Sequence, residues 1–470
     1  MISMPPGTIE DVMGTEIVGR WWLPSSIDHD EAGSLHIDEL GDMELSLHGP
    51  LQPVEWWNRH SLPSTPIILG LTNSHKLITL VSSLPRGVTV AVPGFRTERY
   101  SPQVALFGDH LMWDDLKFNA IRISFPGLSE WLGISGLQTS IGQTVRDLAV
   151  SVDPPTLPEF TLIDGTVVRI EFNYALPKLG HIDENVHVKY KFDRELDIDE
   201  ATRYEGDLRH LVSIHNGASV APNRVSLYST HRSGSLLNKE DPGASPLDLV
   251  RPLIHSDRDS EARGELLFSA GQHPGGIEGV MRGWHQVAKR YRRVVDIASA
   301  LYYAPQGYRN AELLLAATMV ETLHRLSDFP QRVEREGLVA WRKLLETAPE
   351  EHRSWLSRFV SQKAEPSPRR RLEDLVGALG ALGGRLVENV PEYERRLNRW
   401  RNAAVHHGQT DDLSGAHMYQ LAAVTRLVVE LFLMHEAGFD IQGEADRIQS
   451  TARFRRAARL KLEWPPLAAE

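Results

Sequence analysis

Pro391-Glu392-Tyr393-Glu394-Arg395-Arg396-Leu397-Asn398-Arg399-Trp400-Arg401-Asn402-Ala403-Ala404-Val405-His406-His407-Gly408 is the stretch whose reading organises the rest of the chain. It is a basic, helix-patterned run. Pro391 sits where a first-turn proline belongs, and Gly408 permits a reversal at the far end. The last eight residues gather an arginine, an amide, two imidazoles and a glycine. Spacing alone carries little: in a chain with 20 histidines, about one or two Arg-x4-His pairs arise by chance. Arg401/His406 is the single such pair in the sequence, so its meaning depends on its surroundings.

Those surroundings read as helices joined by short loops, the pattern of an antiparallel bundle. Trp284, Val287, Ala288, Tyr291, Val294, Val295 and Ala298 recur at i, i+3, i+4, i+7 spacing. Further helices are predicted over 311–327, 337–347, 349–361, 371–382, 391–406 and 414–435, with Ser414 as an N-cap. Gly377, Gly380, Gly383 and Gly384 suggest a close-packing seam or a weak point in their helix. The arginine-rich tail 447–461 reads as a solvated helix. On the helix 311–327, Glu321, His324 and Arg325 lie at i, i+3 and i+4 and therefore cluster. Glu321 stands between Val320 and Leu323, near the apolar stripe, where a carboxylate wants a partner. Two partners are open: Arg401 from the opening stretch, or Arg325 on the same helix.

Working outward in the other direction, residues 233–278 are punctuated by Gly and Pro and read as an irregular linker. Before them, 1–232 reads as β-rich. Strands are predicted over 17–24, 33–38, 43–49, 66–71, 76–82, 88–92, 103–107 and 119–125, and again over 160–163, 167–172, 187–192 and 224–229. Asp164-Gly165 is a hairpin signal, and 199–214 reads as a helix. Trp21-Trp22 and Trp56-Trp57 fit a sheet core better than a ligand platform. Asp197 and Asp199 lack a third ligand nearby and fit a turn into a helix better than a metal site.

Bulk composition sets the limits. At 470 residues the chain exceeds one ordinary core. It holds no cysteine, which removes disulfides, thiolate metal sites and cysteine nucleophiles, and suits a reducing cytoplasm. The start of the chain lacks the charged and apolar segments of a secretory signal, and no apolar run is long enough to cross a bilayer. A net charge of −11 argues against nonspecific coating of nucleic acid. Residues 331–410 nevertheless carry more basic than acidic side chains, with Arg395, Arg396 and Arg399 within two turns of Arg401. That local surplus suits a polyanionic substrate.

The opening stretch has the parts for cutting RNA. When the substrate's own 2′-hydroxyl is the nucleophile, the catalyst must move protons and hold phosphate charge. A histidine titrates near pH ~6.5 and serves in either protonation state. Arginine grips phosphate oxygens bidentately, and Asn402 can donate to the phosphate or orient the imidazole. Residues five apart on one continuous α-helix lie about 140° apart around its axis. Arg401 and His406 therefore meet only if the helix ends near Val405 or if a second copy completes the site. A histidine in a last helical turn is favoured in its protonated form.

Two regions resemble one family. Gly19-Arg20-Trp21-Trp22-Leu23-Pro24, Ile67-Ile68-Leu69-Gly70-Leu71-Thr72 with Thr79-Leu80, and Leu116-Lys117-Phe118 through Leu128-Ser129-Glu130-Trp131-Leu132-Gly133 resemble the N-terminal domain of ApeA-type anti-phage defence proteins. Residues 308–440 resemble a HEPN domain of the ApeA type. Arg401-Asn402-x3-His406 matches its Arg-x4–6-His motif, and Glu321-x-x-His324-Arg325 its polar cluster on an earlier helix. The resemblance implies an α+β chain, a β-rich sensor or regulatory region followed by an all-α HEPN helical bundle within 279–470. It implies Arg401 and His406 as catalytic residues, assisted by Asn402 and with Glu321 supporting Arg401. Arg395, Arg396, Arg399, His407, His324 and Arg325 are the candidate RNA contacts. No metal or cofactor is implied. The implied partners are an RNA substrate (tRNA among the candidates), a phage-derived trigger and a second copy in a homodimer or higher homo-oligomer. The rival is a non-catalytic binding or oligomerisation protein whose β-rich half takes a peptide or carbohydrate.

Overall fold

The computed structural model describes residues 12–52, 64–90, 96–141, 148–178, 181–230, 246–252, 266–303, 309–331, 336–403 and 415–459. The chain divides into two compact units. One comprises 1–212 with 219–256, the other 213–218 with 257–470.

The first unit is built on strands. Thr15–Trp22 (β1), Glu31–Ile37 (β2), Met43–Leu47 (β3), Thr65–Thr72 (β4), Leu77–Val90 (β5) and Arg96–Ser101 (β6) pair in the order β5-β4-β1-β2-β3-β6, and β6 returns to β5. The ring closes and so removes two sheet edges. β5 makes this possible by changing partners along its length. Its first half pairs with β4 and with Val104–Phe107 (β7), its second half with β6. The change of direction falls at Ser82, which has a positive φ of 53°, and at a bulge between Pro85 and Gly87. Sequence periodicity splits β5 into two strands because the bend interrupts the alternation.

From β7 the sheet continues, open and antiparallel, through Leu247–Val250 (β15), Arg224–Tyr228 (β14), Phe118–Ser124 (β8), His181–Leu196 (β13), Val167–Lys178 (β12) and Phe160–Thr161 (β11). Leu137–Ile141 (β9) and Leu148–Val152 (β10) form a separate ribbon. β15 lies inside the stretch expected as an irregular linker. It joins β14 to β7 as an interior strand, a role its four residues do not announce. β6 was also unreadable by pattern, because its buried residues are Glu98 and Tyr100. The Glu98 carboxylate accepts from Arg96, Tyr100 and the Leu51 amide.

Trp21 is fully buried, and Gly70 makes room for it: a Cβ there would stand 2.3 Å from the indole. Trp21 is therefore core, not a ligand platform; Trp56 and Trp57 lie outside the described residues. Leu128–Leu132 (α1) is one short helix of this unit, and Ile198–Asn216 (α2) begins in it. Asp197 caps α2: its carboxylate accepts from the Glu200 amide at 2.8 Å.

The second unit is helical: Gly276–Arg290 (α3), Arg292–Tyr303 (α4), Arg309–Leu326 (α5), Glu336–Thr347 (α6), Glu350–Ala364 (α7), Pro368–Ala378 (α8), Gly380–Leu386 (α9), Val390–Asn402 (α10), Gly415–Glu436 (α11), Ala445–Ser450 (α12) and Ala452–Arg459 (α13). α11 is buried on most sides, as the central helix of a bundle must be. The helix expected over 371–382 is two helices, because Gly380 has φ +54° against Gln442. Gly383 is the true close contact of the proposed seam, with a virtual Cβ 2.2 Å from the Val376 carbonyl; Gly377 and Gly384 face open space. The arginine-rich tail is not a solvated helix. Ile448, Phe454 and Ala457 are buried, Arg447 donates to the Leu266 and Leu267 carbonyls, and Arg453 pairs with fully buried Glu430. Among the described residues, no helix is long and apolar enough to cross a membrane.

Candidate active site

Three helices meet where the sequence placed its chemistry. α5 and α10 are clamped to α11 by Leu313, Leu397, Trp400 and Leu421. The Tyr393 hydroxyl donates to the Leu421 carbonyl at 2.9 Å and lies 2.8 Å from the Thr425 hydroxyl. Asn389 caps α10, accepting from the Glu392 amide, so the helix starts at a defined residue and Arg401 falls in its last turn. Ala403 keeps helical angles of φ −59° and ψ −45°. His406, His407 and Gly408 lie outside the described residues, as does the expected N-cap Ser414.

Glu321 on α5 is the centre of the charge cluster. Its Oε1 lies 3.0 Å from Arg371 on α8 and 3.1 Å from Arg325, and its Oε2 lies 3.8 Å from Arg401. The two pairings left open by the sequence both exist, and a third, shorter one joins them. Burial acts to raise the Glu321 carboxyl, but the hydrogen bond and charge of Arg371, then Arg325 and Arg401, outweigh it and hold the group below its ordinary value. Glu365 bridges Arg325 and Arg371 from the other side, at 3.0 and 3.1 Å. Arg371 is almost wholly buried. Sequence reading missed it because it stands in Pro368-Arg369-Arg370-Arg371, which looks like a solvated basic run. Ser367 caps α8 and sets its phase, turning Arg371 inward.

A small open pocket lies among these helices, lined by Glu321, Arg371, Glu394, Asn398 and Arg401 over an apolar floor of Ala317, Val320 and Leu397. Arg401 is 38% exposed, so its guanidinium can meet an anion at the pocket while Glu321 steadies it.

The expected RNA contacts separate into different situations. His324 is corrected: it is fully buried, its Nε2 lies 3.0 Å from Asp374, and its ring stacks on Phe329. It braces α5 against α8 and cannot touch RNA. Arg396 is turned back onto Glu392, and Arg399 lies over the Trp400 ring. Arg395 and Asn402 are exposed. Arg325 is half-exposed within its two ion pairs.

Residues 16–258 match the model of the ApeA N-terminal domain 1, and residues 314–442 match the model of the Apea-like HEPN domain. No curated protein and no solved structure matches the chain. HEPN domains are generally nuclease-associated. With the first match spanning more than half of its length, the chain belongs to the ApeA family, in which an ApeA N-terminal domain precedes an ApeA-like HEPN domain.

Proposed function

We propose that this protein is a metal-independent endoribonuclease of the HEPN type that acts in the cytoplasm in anti-phage defence, cutting RNA, with tRNA among its targets, to halt growth of the infected cell. The β-rich region serves as sensor or regulatory part and responds to a phage-derived trigger. The observation that carries the reading is the Arg401 guanidinium, in the last turn of α10, lining an open pocket 3.8 Å from the ionised Glu321. Arg401 holds a phosphate oxygen, and Asn402 donates to it. His406, five residues on, transfers the proton as the 2′-hydroxyl attacks phosphorus and the 5′-oxygen leaves. The products are a 2′,3′-cyclic phosphate and a 5′-hydroxyl, and no metal-bound nucleophile is needed. Two copies facing each other complete the cleft.

The test incubates purified protein, with its trigger supplied by extract from infected cells, with total RNA in EDTA. Cyclic-phosphate ends are expected with the wild type, and Arg401→Ala or His406→Ala should lower cleavage at least about 100-fold, the scale of losing a general acid-base or charge-stabilising group. Cleavage that persists in the double variant, or that needs added Mg²⁺, overturns the reading.

A further inference from the structure

One face of the open sheet carries charge in an arrangement that costs stability. Lys189 on β13 stands directly opposite Arg169 on β12 and opposite Arg122 on β8. Arg122 in turn faces Ser226 on β14, and Ser226 faces Asp248 on β15. Three cations thus follow one another across three strands. Like charges in directly opposite positions destabilise a sheet. Arg169 forms the exposed end of the row, with 57% of its side chain exposed, but the rest is no solvated fringe: Arg224 and Arg122 are 11% and 17% exposed, Ser226 and His187 are buried, and Lys189 is half-buried.

The carboxylates on this face are already engaged. Arg224 makes a two-pronged pair with Asp248, at 3.0 and 2.9 Å, and Asp248 also accepts from Ser226. Arg169 is paired with Glu159. Arg122 Nε lies 3.0 Å from Glu171 but out of line for a hydrogen bond, leaving a buried donor with no acceptor among the described residues. Lys189 rests on the Tyr228 ring, 4.2 Å from its centroid. Burial pulls Lys189 below an ordinary lysine; Glu171 opposes this, while Arg122, Arg169 and Lys191 add to it. Burial, with Arg122 and Arg224, also brings His187 down to about 3, so its ring is neutral. Two neighbouring cations drawn from water, Lys189 with no carboxylate paired to it among the described residues and Arg122 with an Nε that makes no hydrogen bond there, are kept at a cost to the fold, as binding sites are.

We infer that this sheet face binds a small, multiply charged anion of the phosphate class, gripped by Arg122 and Lys189 with Arg224 beside them. A phosphate monoester brings close to two negative charges and three acceptor oxygens, which would turn the repulsive row into an attractive one and give the Arg122 Nε its acceptor. The inference stands apart from the RNA-cutting reading, since none of these residues belongs to the helical unit.

The test is the melting temperature of the full chain at constant ionic strength, without added metal, titrated separately with inorganic phosphate, pyrophosphate and ATP against chloride. A saturable rise of about 5 °C is expected at a hundredfold excess over Kd. The probe that saturates at the lowest concentration distinguishes free phosphate from a nucleotide. Lys189→Met and, as a second variant, Arg122→Gln should lose the rise, whereas Arg401→Ala should keep it. Without ligand, Lys189→Met should melt no lower than the wild type, because the like-charge row is relieved. Absence of a saturable rise with all three probes, a full response in both sheet variants, or a response lost in Arg401→Ala alone overturns the inference. So does Lys189→Met melting below the wild type, which would make Lys189 a structural partner of Tyr228.

Discussion

Arg371 and Arg401 touch the same carboxylate and should behave in opposite ways. Arg371 is buried between Glu321 and Glu365, so Arg371→Ala removes their buried shared cation and leaves only the half-exposed Arg325 between the two acids. Both acids are part exposed, which reduces the penalty below that of a fully buried pair. The expected loss is about 2 kcal/mol of unfolding free energy, read by urea denaturation. Arg401 is more exposed and stands further off, so Arg401→Ala should cost under about 0.5 kcal/mol while removing activity. A large stability loss in the Arg401 variant would mean that the arginine is a structural partner rather than a working one. His324 shows the same division. Its i+3 spacing from Glu321 placed it in the cluster, but a buried imidazole on Asp374 and Phe329 is a brace.

At the scale of elements, the C-terminal helices α12 and α13 illustrate how composition misleads. Arg447 and Arg453 make the tail look solvated, yet both are spent on internal acceptors. Arg453 reaches Glu430, the Tyr302 hydroxyl and the Ile214 carbonyl. Glu430 has no exposed surface, and removing its closest cation strands a buried charge. Arg453→Ala should destabilise the protein by about 3 kcal/mol, at the low end for such a loss because Tyr302 and Arg426 remain beside the carboxylate. Thermal melting checks this, and an unchanged melt would restore the solvated reading. The helix periodicities themselves were legible throughout α5, α6, α10 and α11. What escaped were interruptions, Tyr291 between α3 and α4 and Gly380 between α8 and α9, each a local backbone change inside an otherwise continuous pattern. In β5 the reverse holds: the bend at Ser82 breaks the pattern of one continuous strand.

For the whole molecule, the units are not consecutive pieces of chain. The second takes in Ser213–Ala218 before the chain returns to the first for 219–256. His215, within that short segment, is enclosed by Phe268 and Phe439. A fragment cut at 232, the boundary suggested by composition, lacks β15 and leaves β14 and β7 with open ladders. Residues 1–232 should therefore aggregate or melt well below a fragment ending at 256, compared by circular dichroism and size exclusion. Equal behaviour of the two would show that β15 is dispensable.

Periodicity of apolar residues determined, without coordinates, that strands precede helices, and where most elements lie, because burial of one face imposes a period of two or 3.6. The Arg401 motif and the candidate status of Glu321 were likewise readable, as chemistry carried by residue type and local spacing. Tertiary structure alone decided which partners those residues meet. Arg371 and Glu365 are far from Glu321 in sequence, and their approach depends on the phase of α8 against α5. The closed strand ring and the cation row Arg169–Lys189–Arg122 depend on register between distant strands, which no local pattern encodes.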